Sequence, residues 1–112
     1  MIKSFKNALN GLRSVLNEER NFKVEVCIGF LVIVAAAYFR FTLTEWIVIV
    51  ICIASVVCAE IVNTAIEDLC DKVEPNTDPA IGRVKDMMAA FVLVAALGAA
   101  IVGALVFYNH FQ

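Results

Sequence analysis

Three long apolar runs alternate with short polar segments along the chain, and each run has the length and flanking chemistry of a membrane-crossing helix. Met87 to Tyr108 is uncharged over 22 residues, enough to cross a hydrocarbon core of about 30 Å at about 1.5 Å rise per residue. Trp46 to Ile66 carries a single charge, Glu60, and opens on an interfacial-type Trp beside Glu45. Phe22 to Phe41 has a shorter uncharged part, Val26 to Phe39, with aromatic residues and Lys23, Glu25 and Arg40 as anchors for a tilted or shallow helix. Ahead of these runs, Ser4 is a candidate cap for a helix with Phe5, Leu9, Leu12, Val15 and Leu16 on one face and Lys3, Lys6, Asn7, Asn10, Arg13 and Asn17 mainly on the other. Such a helix lies on the membrane surface or packs on partner helices. The predicted fold is an all-α membrane protein, one domain over 1–112, with an amphipathic surface helix near 4–17 and spans near 22–41, 46–66 and 87–108.

Composition agrees with that pattern. Of the 112 residues, 62% are hydrophobic and 18% charged, and the mean hydropathy is +0.85, well above the roughly 45–50% apolar content of a soluble domain. A large soluble enzyme is excluded. A net charge of −2 with no long basic run gives no field for nucleic acid. Cys27, Cys52, Cys58 and Cys70 form no CxxC pair and no Cys/His cluster, and read as free packing thiols. Ala35, Ala36 and Ala37 imitate a signal-peptide cleavage site, but Glu18, Glu19 and Glu25 precede or enter that run, unlike a short basic leader. The first span is therefore expected to be retained.

Eight of the nine basic residues lie before the first span or between the second and third. By the positive-inside rule the N-terminus and the Asp68 to Asp86 connection face the cytoplasm, and the Arg40 to Glu45 turn and the C-terminal tail face outward. In the second span Glu60, Asn63, Glu67 and Asp71 are spaced by three, four and four, so they stack on one helix face. An ionised carboxylate at mid-membrane costs roughly 2.5–3.5 kcal/mol on insertion scales, so Glu60 is expected to face protein, water or substrate. It would serve as interhelical glue if protonated, but four polar groups in register exceed what glue requires. A carboxylate row ending at the interface suits Mg²⁺, which takes one or two carboxylates plus phosphates and waters. Lys85 and Asp86 open the third span at the same interface, where a Lys offers a point charge to phosphate. There is no GxxxxGK[ST] or GxGxxG loop, and the single His110 lies in the outer tail. Composition and spacing alone stop at a small three-span protein with an acidic cytoplasmic-side cleft.

The same residues carry a family resemblance. Lys3-Ser4-Phe5 with Ala8 and Gly11-Leu12, Glu19-Arg20-Asn21-Phe22, Glu45-Trp46, the run Glu60-Ile61-Val62-Asn63-Thr64-Ala65-Ile66-Glu67 with Asp71, and Lys85-Asp86 followed by Ala89-Ala90 occur in the order found in the small prokaryotic integral-membrane lipid kinases. The chain resembles that diacylglycerol kinase and undecaprenol kinase family over nearly its whole length. The resemblance implies a homotrimer in the bacterial cytoplasmic (inner) membrane, with active sites between neighbouring subunits, phosphorylating a lipid hydroxyl with ATP and Mg²⁺. It assigns Glu60 as catalytic base, Asn63 as an active-site amide, Glu19 and Glu67 as metal-binding carboxylates, and Lys85 with Asp86 as nucleotide-phosphate contacts. Diacylglycerol and undecaprenol both stay open as substrates, with the wording of the motifs slightly closer to the undecaprenol branch. Two departures stand out: Asp78-Pro79 where the family often has a His, and Phe91 where a small residue is usual. They put in doubt a nucleotide contact at Asn76 to Asp78 and the shape of the lipid cleft. The rival readings are a small oligomeric transporter cycling protons through Glu60 and a structural or adaptor membrane protein.

Overall fold

A computed structural model describes all residues 1–112 as four helices: α1 (Ile2–Glu18), α2 (Arg20–Tyr38), α3 (Leu43–Val73) and α4 (Pro79–His110). The last three are long and apolar enough to cross a membrane. At about 1.5 Å per residue α3 and α4 reach about 45–50 Å, more than a bilayer core requires, so each has a polar end beyond its apolar run.

The connections show why the helices stop where they do. α1 starts directly after Met1 without a side-chain cap, so Ser4 lies within the helix instead of capping it. Glu19 alone, in extended conformation (φ −109°, ψ 112°), separates α1 from α2. α2 ends in a Schellman arrangement: the Phe41 N–H donates to the Ala36 carbonyl at 3.0 Å and the Arg40 N–H to Ala37 at 3.2 Å. Arg40 occupies the left-handed position (φ 56°) usually given to glycine. The motif's usual apolar contact is present as well, since Ala36 and Phe41 are both buried in one cluster with Ile49. α3 then opens with a capping box, in which the Glu45 N–H donates to Thr42 Oγ1 at 3.2 Å and the Thr42 N–H to Glu45 Oε1 at 2.8 Å.

The connection expected over 68–86 contracts to residues 74–78. Polar residues end an apolar span, but Glu67 to Lys72 offer nothing that breaks a helix. Asp78 accepts from the N–H groups of Ala80 (2.8 Å) and Ile81 (3.2 Å), and Pro79 fits the first helical position, where its missing N–H costs nothing. The Asp-Pro departure from the family pattern is thus a helix start.

α3 packs chiefly on α4, α1 and α2 lie against α3, and the backbones of α2 and α4 stay apart, with Phe107 of α4 packing on the cluster that holds Ala36. Gly29 of α2 sits close to α3, where a Cβ would lie 3.4 Å from Ile53. Only ten residues are buried and α4 buries none, the inverse of a soluble fold and the condition expected of helices facing lipid or other protein. The apolar core, Ala36, Phe41 and Ile49 with Trp46 and Phe107 against it, lies at the α2–α3 turn, called here the aromatic end. The opposite end, where α2 begins, α3 ends and α4 begins, is the acidic end.

Candidate functional site

Helical spacing and the antiparallel packing of α2 on α3 together build the acidic end. Glu60 is 5% exposed, and one turn on, the Thr64 hydroxyl donates back to the Glu60 carbonyl at 3.0 Å, satisfying a buried hydroxyl within the helix. Asn63 Nδ2 donates to Glu67 Oε1 at 3.3 Å, the i, i+4 pairing expected from the spacing. Asn63 Oδ1 is buried without a partner. An orphan buried acceptor costs about 1–3 kcal/mol and marks a place where a donor or cation would be welcome.

Glu19, at the α1–α2 junction, is brought into the field of Glu67 and Glu60. Its carboxyl is pushed above the ordinary carboxylate range by burial first, then by Glu67, Glu60 and Asp68. Glu18 is pushed up likewise, by burial and by Asp68. Lys85 crosses from α4 to donate to Asp71 Oδ1, and both side chains are substantially exposed; such a surface pair contributes about 0–1 kcal/mol. Asp86 is exposed and its side chain makes no hydrogen bond. Glu60, Asn63, Glu67 and Glu19 are therefore gathered, Lys85 stands beside them tied to Asp71, and Asp86 stays apart.

The residue missed in the sequence is Glu25. Its carboxyl is a close neighbour of Glu60, and its Oε2 is buried without a hydrogen-bond partner. Helix register explains the meeting: Gly29 touches Ile53, and Glu25 and Glu60 lie one and two turns from those contacts toward the acidic end, so about 5 Å of axial offset separates their backbones. The signal was present in the sequence, because Phe22, Glu25, Gly29, Val32 and Ala36 recur at three and four and form the inward face of α2. Glu25 is also the one charged residue lining an apolar groove of about 460 Å³, walled by Val32 of α2, Ile53 and Val57 of α3, and Ala96, Ala100 and Ala104 of α4. Phe91 is half exposed and takes no part in that lining.

No group of three or more His, Cys, Asp and Glu side chains comes together at metal-holding distance. The donor set nonetheless suits a hard cation that needs few protein ligands: two carboxylates, Glu19 and Glu67, and the free oxygen of Asn63 beside them.

Comparison with known proteins identifies the family. The family model described as prokaryotic diacylglycerol kinase matches residues 6–107. An undecaprenol kinase of Bacillus subtilis (strain 168) is 30% identical over 105 residues, covering 94% of this chain and 85% of that protein. A diacylglycerol kinase of Escherichia coli (strain K12) is 29% identical over 111 residues, covering 99% and 91%, and one of Haemophilus influenzae is 28% identical over 95 residues, covering 85% and 80%. With a match across nearly the whole chain, the chain belongs to the prokaryotic diacylglycerol kinase family of lipid kinases.

Proposed function

We propose that the protein transfers the γ-phosphoryl group of ATP, with Mg²⁺, to the hydroxyl of a membrane lipid, diacylglycerol or undecaprenol, at the cytoplasmic face of the bacterial inner membrane. The observation that carries this reading is the buried Glu60 carboxyl beside Glu25, which lines the apolar groove. A base placed there meets a lipid hydroxyl without drawing the lipid out of the bilayer. Glu60 takes the hydroxyl proton, the lipid oxygen bonds to the γ-phosphorus, and the bond from that phosphorus to the β–γ bridging oxygen breaks, leaving ADP. Asn63 holds Glu67, Glu19 and Glu67 would hold Mg²⁺, and Lys85, followed by Asp86 near the start of α4, would meet the nucleotide phosphates. Bound Mg²⁺ supplies charge neutralisation to those phosphates.

α1 is proposed to lie on the membrane surface, with its exposed Phe5, Leu9 and Leu12 in the interface and Lys3, Lys6 and Arg13 toward the headgroups. The N-terminus and the 74–78 connection then face the cytoplasm and the C-terminus faces outward. The test is phosphate transfer from labelled ATP to diacylglycerol and to undecaprenol, compared side by side in mixed micelles with Mg²⁺. Incorporation into one of them is expected; incorporation into neither, with ion flux in proteoliposomes lacking ATP, supports the transporter reading instead.

The assembly is proposed to be a homotrimer. Ala96, Ala99, Ala100, Gly103 and Ala104 line a groove that the chain itself leaves unfilled, and small residues let helix backbones approach closely in lipid. Ala100→Leu is expected to loosen the assembly, measured by size in detergent or nanodiscs, while helix content stays unchanged. Loss of the monomer fold instead would show that the stripe serves packing within the chain, and a fully active wild-type monomer would overturn the assembly altogether.

A further inference from the structure

α3 does not end with its apolar run. It stays helical to Val73, and this extension fixes where Asp71 stands: one turn beyond Glu67 and two beyond Asn63, on the same face. In a loop, Asp71 would have no set relation to Glu67. Lys85 meets it from the second turn of α4. The hairpin between the two closes over residues 74–78 and α3 packs chiefly on α4, so the backbones on both sides are held. The one hydrogen bond that Lys85 Nζ gives to protein goes to Asp71 Oδ1. An ammonium carries three N–H groups, so two are left for an anion. The same ammonium lies in the field of Glu67.

The pair does little for the fold. Its side chains are 37% and 65% exposed, and an ion pair in water gains little against the entropy of holding two side chains in one geometry. What it sets is the place of the ammonium. A lysine stem has four rotatable carbons and, released into solvent, spreads its charge over many rotamers. Tied to Asp71, that charge stays at the Glu67 end of the cleft. The Asp71 carboxylate would by itself repel a phosphate, but it is largely exposed, so water and salt screen it, and the ammonium neutralises it at contact.

We propose that Asp71 is a positioning residue for nucleotide binding: it anchors Lys85 beside Glu67 with two N–H groups free for the phosphates of ATP, and itself touches no substrate. The inference rests on the kinase reading, which makes Lys85 a phosphate contact.

The experiment measures binding of ADP and of a non-hydrolysable ATP analogue, each with Mg²⁺, to the full-length protein in nanodiscs. Asp71→Ala is expected to weaken both by about two- to fivefold, the range an exposed ion pair supplies. Asp71→Glu, which keeps an acceptor for the flexible lysine, restores most of the loss. Lys85→Met weakens binding as well, and adding Asp71→Ala to it costs nothing more, because the anchor then has nothing to hold. A merely structural role for Asp71 would persist in the Lys85→Met background, and that result overturns the proposal. So does wild-type or tighter binding in Asp71→Ala. If Lys85→Met binds too weakly for the comparison, Asp71→Glu decides: affinity near wild type supports the anchor, and affinity as weak as that of Asp71→Ala overturns it. A wild-type protein that binds neither nucleotide overturns the kinase reading and the anchor together, whereas nucleotide binding that is indifferent to Asp71 overturns the anchor alone.

Discussion

Glu60→Gln is expected to lower phosphate transfer to lipid by about 10²–10⁴-fold, the range that general-base catalysis supplies, while the protein assembles as before. The substitution keeps the volume of a side chain that is 5% exposed, so no cavity opens and packing against α2 is retained. The amide N–H also offers a donor to the neighbouring Glu25 carboxylate, whose Oε2 is buried without a partner. What it lacks is a site for the lipid proton. The loss should therefore fall on kcat, with the KM for ATP little changed, because no nucleotide contact is altered. Turnover under saturating ATP and lipid, read together with the assembly size, checks this. Near-normal turnover would remove Glu60 from the mechanism and leave its burial to be explained as interhelical glue.

The parts of this fold that rest on unbroken apolar runs were legible in the sequence. Three such runs became α2, α3 and α4 because a bilayer imposes length and polarity on every crossing segment. Boundaries set by local backbone chemistry were less legible. Returning charge suggests a loop over residues 68–73, yet charge marks the edge of the membrane and not the end of a helix; the Asp78 cap with Pro79 after it is the better signal. Arg40 takes a left-handed position that sequence rules reserve for glycine, held there by two backbone hydrogen bonds.

The site shows the same division. Glu60, Asn63 and Glu67 share a face by helical arithmetic alone, and so were visible. Glu25 stood in the sequence as an anchor at the end of a span, because its meeting with Glu60 depends on how α2 is set against α3, which Gly29 permits and periodicity within one helix does not report. The contacts of His110 were not visible for a similar reason: its partner Phe39 lies 71 positions away in the chain. Contacts between helices need the packing, and only contacts within a helix follow from spacing.

Removing either proposed metal ligand, Glu19→Ala or Glu67→Ala, is expected to raise the Mg²⁺ concentration needed for half-maximal transfer by about tenfold or more. Mg²⁺ is commonly held through one or two carboxylates, with waters and phosphates completing its shell, so each deletion removes a large part of the protein's share. The two residues reach the site from different elements: Glu67 stands on α3, steadied by Asn63 Nδ2 at 3.3 Å, and Glu19 occupies the single extended residue between α1 and α2. Their negative charges crowd one another, which is part of why the Glu19 carboxyl is pushed up, and a divalent cation relieves that crowding. Asp71 is the control. It lies on the same face of α3, but one of its oxygens accepts from Lys85 and its side chain is largely exposed, so Asp71→Asn should leave the Mg²⁺ titration close to wild type. Binding of Mg²⁺ or Mn²⁺ to the purified protein, with and without nucleotide, gives a readout independent of turnover. Wild-type titrations in both alanine variants would reject the metal assignment, and a shift in Asp71→Asn as large as theirs would move the site one turn along α3, to the end that Lys85 now occupies.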